Sequence, residues 1–149
     1  MIERGAVLVP TRFIVEHLVA SGKALGMPDY AYAKIMAVAD HHAEALRTAV
    51  GAGVTIATGT DIFTRAAIGE NGRELAYLVE AGMAPLDAIA AATVNGPLTV
   101  GPQAPRSGEL EPGFDADVIA VAGNPLADIT LLADPANVTH VWKSGLRVK

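Results

Sequence analysis

The sequence predicts an α/β protein, and three observations carry that expectation. After Pro28-Asp29 the residues Tyr32, Ile35, Met36, Ala39, Ala43, Leu46 and Val50 recur at helical spacing, with Gly51 or Gly53 as the stop. Val54 to Thr58 follow at once, β-branched at alternate positions and apolar enough for burial on both faces, as strands of parallel sheets are. Helix, glycine turn and buried strand together make one αβ step. The third observation is a change of character after Pro97, where a proline- and glycine-rich stretch gives way to short strand-like segments.

Taken in order, Ala6 to Val9 is a short apolar run closed by Pro10, which reads as a buried strand ending in a loop. Phe13 to Met27 is helix-like, with Ile14, Val15, Leu18 and Val19 followed by Gly22 and Gly26. Asp29 is the expected N-cap of the long helix. Past Asp61, a loop through Asn71-Gly72 enters a helix with Leu75, Leu78 and Val79 on one face and Gly82 as its stop. Pro85 then opens another helix, which is expected to end at Asn95-Gly96. Both read as packing helices. In the tail, Val118 to Val121, Val138 to Trp142 and Leu146 to Val148 are strand-like, the last two joined through Lys143-Ser144-Gly145 as a tight hairpin. The turn-rich stretch divides residues 1–101 from a small β module, residues 102–149.

Composition narrows the function classes. The 149 residues are 51% hydrophobic and 18% charged, enough apolar content for a packed core with some left for the surface. A net charge of −5 with scattered Lys and Arg argues against non-specific nucleic-acid binding, which needs clustered cations to neutralise phosphates. No apolar window approaches a membrane span, and the opening run, broken by Pro10 and Arg12, is too short for a secretory signal; the expected location is the cytoplasm. Without cysteine, any metal must be held by His, Asp or Glu. Asn137-Val138-Thr139 fits a glycosylation acceptor and, with no secretory signal, reads as a chance match.

Several groups invite a chemical reading. Asp40, His41 and Glu44 share a helix face at spacings that permit metal ligation, although the same pattern suits a solvated face. The glycines Gly51 and Gly53 precede their strand, whereas a dinucleotide fingerprint needs them after it. Asp115 and Asp117 open a strand in a turn-rich region, where Asp is common for conformational reasons. His140 alternates with Val138 and Trp142 and reads as a half-buried structural residue. Asp61 closes the Val54 to Thr58 strand, backed by Thr58 and Thr60 and followed by Arg65. Ends of parallel strands are where α/β enzymes keep reactive groups, but turns also favour Asp, and spacing alone leaves both readings open.

Three ordered blocks decide between them: AGVTIATGTD at Ala52 to Asp61, GRELAYLVEAGMAPLDAIAAATVNG at Gly72 to Gly96, and GELEPGFDADVIAV from Gly108, with NPLADI and VWKSGLRV behind it. Together they resemble the C-terminal third of metal-dependent amidohydrolases, in the branch that includes imidazolonepropionase-like and Xaa-Pro-dipeptidase-like enzymes. The resemblance implies about the last two units of a (β/α)8 barrel, followed by the C-terminal strands of a small β-sandwich. It makes AVLVPT about the seventh barrel strand and VTIATGTD the eighth. It also implies that Asp61 binds the catalytic metal and accepts a proton from the attacking water. The metal implied is zinc, as one or two ions, and the substrates are small amides, N-acyl amino acids, dipeptides or cyclic amides. Arg12 and Arg65, after the two strands, are candidates for pairing a substrate carboxylate.

The departures from the family pattern are also specific. The H-x-H motif of the first strand, the lysine or glutamate of the fourth and the histidines of the fifth and sixth have no counterparts here. A full barrel takes about 250 residues. The expectation is therefore a fragment or half of a split enzyme, which either self-associates or pairs with a complementary segment. A non-catalytic, self-associating module is the competing reading, with Asp61 then a turn residue.

Overall fold

Four helices and a three-stranded sheet make up the computed structural model, which describes residues 1–149. Helix α1 spans Arg12–Ser21, α2 Asp29–Gly51, α3 Arg73–Glu80 and α4 Pro85–Ala92. Strands β1 (Val118–Val121), β2 (Val138–Lys143) and β3 (Leu146–Arg147) complete the chain, which is of the α/β class.

The long helix α2 ends at Gly51, where the glycines predict it, but its start differs from expectation. Pro28, in extended backbone, occupies the cap position, and Asp29 is the first helical residue, with no side-chain cap bond. The Asp29 carboxylate instead accepts from Lys23 Nζ at 3.1 Å. Proline suits a helix entrance because its fixed φ is already helical and no N–H is lost there. Of the apolar stripe, Ala39 and Leu46 are buried and Met36 is exposed.

The two expected barrel strands meet in one parallel bridge, Leu8 to Ile56. Leu8 N–H donates to the Thr55 carbonyl at 2.9 Å, and Ala57 N–H donates to the Leu8 carbonyl at 3.0 Å. Neither segment extends into a longer ladder, and the other side of the second is occupied by a helix end. Thr58 N–H donates to the Ala91 carbonyl at 2.9 Å, and Asn95 Nδ2 donates to the Ile56 carbonyl at 2.8 Å. Ile56 and Ala57 are buried nonetheless.

Helices α3 and α4 pack on this bridge as expected, Leu75 and Leu78 facing inward and Pro85 at the entrance of α4. Helix α4 stops at Ala92, short of Asn95-Gly96, which frees Asn95 for its bond to the strand. The main core joins Leu46 of α2, Ile56, Leu75 and Leu78 of α3, Ala88 and Ala91 of α4, and Ile129. Ile129 belongs to a 3₁₀ turn, Ile129–Ala133, between β1 and β2, so the β-rich tail contributes to the helical core.

The sheet has the order β1-β2-β3 and is antiparallel throughout, with an irregular register between Ala120 and Val121. Lys143 belongs to β2 and pairs with Leu146, leaving Ser144-Gly145 as a two-residue turn. Both turn residues have left-handed φ, 52° and 78°, which matches the twist of the flanking strands. No helix is long and apolar enough to cross a membrane.

Candidate functional site

Two chain segments emerge side by side from the C-terminal end of the parallel bridge, Val9 to Thr11 from one strand and Ala57 to Asp61 from the other. Their approach is close: a methyl group built on Gly59 would lie 2.5 Å from Val9 Cγ1 and 3.6 Å from Thr11 Cγ2. Thr11 and Asp61 both have left-handed backbone, at φ 50° and 53°. For a side chain other than glycine that conformation is uncommon, Asp being among the more tolerant types. Asp61 is exposed at this end of the bridge. Three residues on, Thr64 Oγ1 lies 3.4 Å from Nε2 of His17, whose ring stacks on Phe13 at 5.6 Å between centroids.

Behind the exposed rim lies a buried polar network. Glu74 is wholly buried on α3, and its carboxylate accepts from the backbone N–H groups of Arg12 at 2.8 Å and Phe13 at 2.6 Å. These are among the unpaired donors that begin α1, whose own cap residue, Thr11, makes no side-chain bond to them. Burial raises the Glu74 carboxyl above its ordinary value, against the pull of the Phe13 and Arg12 amides and of the Arg12 guanidinium.

Arg12 itself is turned inward. Its guanidinium donates to the Ala39 carbonyl at 2.7 Å, forms an ion pair with Glu16, and lies 3.4 Å from Nδ1 of His42. His42 Nε2 is 3.0 Å from the Pro10 carbonyl. The two contacts together suit a neutral imidazole that donates from Nε2 and accepts at Nδ1. Arg12, expected from the sequence to face a substrate carboxylate, is thus buried and committed to tying α1 to α2. Arg65 is exposed at the start of a short 3₁₀ turn, Arg65–Ala67.

The helix cluster forms no site. Asp40, His41 and Glu44 are exposed on α2, and Glu44 is engaged by Arg47 at 2.9 Å. No three His, Asp or Glu residues converge closely enough to hold a metal ion, so of the two readings of this helix face the solvated one stands. Helical spacing permits convergence but cannot supply burial or a third ligand. Asp117 serves the tail: it pairs with Lys143 and accepts from the Ser144 N–H at 2.8 Å, across the hairpin turn. The Lys143 hydrogen bond, with that amide, holds its carboxyl below the ordinary range. His140 stacks on Trp142 at 5.4 Å between centroids.

Sequence reasoning passed over Glu74 and His42. Both carried a signal: Glu74 stands four residues before Leu78, and His42 lies between Ala39 and Leu46, each on the buried face of its helix.

A sequence model described as the Amidohydrolase family matches residues 1–148. Ochratoxinase of Aspergillus niger is 49% identical over 146 residues, which takes in 97% of this chain and 30% of that protein. Its crystal structure matches with a TM-score of 0.84 at 47% identity, over 100% of this chain and 33% of the other. Imidazolonepropionase of Deinococcus deserti is 31% identical over 143 residues, 90% of this chain and 35% of the relative. A Xaa-Pro dipeptidase with methionine bound in its active site is 35% identical, with a TM-score of 0.85 over 100% of this chain and 36% of that one. The chain spans about a third of the length of the relatives it matches.

Proposed function

The chain belongs to the amidohydrolase family, and from that premise we propose that it supplies the proton-handling carboxylate, Asp61, of a metal-dependent enzyme that hydrolyses C–N bonds. It corresponds to the C-terminal part of an amidohydrolase barrel protein. The substrates proposed are small amides, dipeptide-like compounds or cyclic amides, a class consistent with the relatives' names.

The observation that carries the reading is the place of Asp61, exposed at the C-terminal end of a buried strand that runs parallel to its neighbour. A reacting group there stands on a rigid support and faces solvent. The step that belongs to this chain is a proton transfer. Asp61 takes a proton from the attacking water at a carboxylate oxygen and delivers it to the leaving amine nitrogen, serving first as general base and then as general acid. Arg65, four residues on, is the proposed partner for a substrate carboxylate.

The chemistry that a bound divalent ion such as zinc supplies is acidification of water and polarisation of the amide carbonyl. Asp61 fits as one ligand, but a zinc site takes three or four, and this chain brings no such group together. The remaining ligands are proposed to come from a complementary segment.

A chimera tests the reading: this chain replaces the matching segment of the Aspergillus niger relative, and hydrolysis of that enzyme's own substrate is measured. Activity in the chimera, reduced at least about a hundredfold by Asp61→Asn, is the expected result. An Asp61→Asn chimera as active as its parent would end it.

A second reading has its own support. Only 16 of 149 residues are buried, and Phe63, Ile68, Leu86 and Leu110 are more than 60% exposed. That surface favours association, with a second copy or a complementary chain, and inactivity of the chain alone.

A further inference from the structure

The geometry points to Glu74 as a positioning residue for Asp61, acting through the start of α1 and the Val9 to Thr11 segment; this rests on the reading of Asp61 as the reacting group. The chain of contacts is short. Glu74 holds the Arg12 and Phe13 amides, at 2.8 and 2.6 Å. Those amides directly follow Pro10 and Thr11, and Pro10 is held from the other side by His42 at 3.0 Å. Val9 and Thr11 are the residues against which Gly59 is seated, so closely that a methyl at Gly59 would meet Val9 at 2.5 Å. Gly59 lies two residues before Asp61.

A local cap would have satisfied the helix start more simply. Thr11 could have done so in extended backbone, the usual conformation for a cap residue. It adopts φ 50° instead and makes no such bond. The donors are served from α3, more than sixty residues away in sequence, by a carboxylate with no exposed surface. Burying a carboxylate is costly, and an apolar residue would pack α3 with less penalty. What Glu74 adds is direction: two bonds from one rigid carboxylate define both the height and the rotation of the α1 entrance. That entrance is the wall against which the Asp61 strand end rests.

Nuclear magnetic resonance of the chain tests this without reference to activity. Glu74→Gln keeps the shape but replaces one acceptor oxygen with a donor. It is expected to speed exchange of the Arg12 and Phe13 amides about tenfold or more, the loss of roughly one hydrogen bond, and to shift the backbone resonances of Gly59 to Ile62. Glu80→Gln, the same change at an exposed carboxylate of the same helix, is expected to leave those resonances in place. If Glu74→Gln fails to fold, the unsubstituted chain serves: Gly59 should titrate with the same midpoint as the Arg12 and Phe13 amides.

In the chimera, Glu74→Gln is expected to lower kcat about tenfold with KM little changed, as misplacement of a reacting group does. Unmoved Gly59 to Ile62 resonances in folded Glu74→Gln overturn the proposal, as does a separate Gly59 midpoint or an unchanged kcat. An active Asp61→Asn chimera instead removes the reading beneath it, whatever Glu74 does.

Discussion

Gly59 shows how one missing side chain sets a site. A methyl there would meet Val9 Cγ1 at 2.5 Å, closer than packed carbon atoms come. Gly59→Ala should therefore push the two strand ends apart and cost about 1–3 kcal/mol, as overpacking does. Combining it with Val9→Ala should recover most of that loss, as read by denaturant unfolding of both variants. Glu74 carries the pH dependence. Its folded carboxyl is raised, so the stability it contributes is complete below the ordinary value near 4.5 and is lost as pH rises through the raised value. Melting temperature followed upward from pH 4 should fall in the parent relative to Glu74→Gln, whose amide does not titrate. Asp117 has the opposite sign: its lowered carboxyl contributes above the ordinary value near 3.8 and loses that contribution as pH falls. Its effect is confined to the exposed hairpin.

At the scale of elements, α3 is the piece on which the others depend. Leu78 is wholly buried in the core that joins α2, α4 and the Ile129–Ala133 turn. Leu78→Ala should cost about 2–5 kcal/mol, the range for a large-to-small change in a close-packed interior. The entrance of α3 meets the same turn through Gly72, where a methyl would fall 1.8 Å from the Leu132 carbonyl oxygen. Since backbone cannot rotate aside as a side chain does, Gly72→Ala should separate α3 from the tail. Proteolysis between Val121 and Val138 should then quicken, and mass spectrometry of the early fragments would locate the cuts.

For the whole molecule, the balance of surface decides behaviour. A domain of about 150 residues ordinarily buries close to 70% of the surface of its unfolded chain. Here few residues are buried, and the parallel strands pair at one bridge. Light scattering should give a mass above the 15.3 kDa of one chain, rising with concentration. A constant single-chain mass would count against association.

By itself the sequence determined the helices, the hairpin and the family. Helical periodicity, glycine stops and the proline of α4 are local signals, written within a few residues of the structure they specify. The three ordered blocks likewise named Asp61 as the residue to follow. What only the tertiary structure decided was the set of neighbours. Arg12 has a cation's usual preference for the surface, and its place inside depends on Ala39 and His42, some thirty residues away. Glu74 owes its role to α1, which brings two unpaired amides to it from more than sixty residues away in sequence. Asp40, His41 and Glu44 keep their helical spacing but stay exposed without forming a metal-holding group, because periodicity fixes direction along one helix and says nothing of what stands opposite.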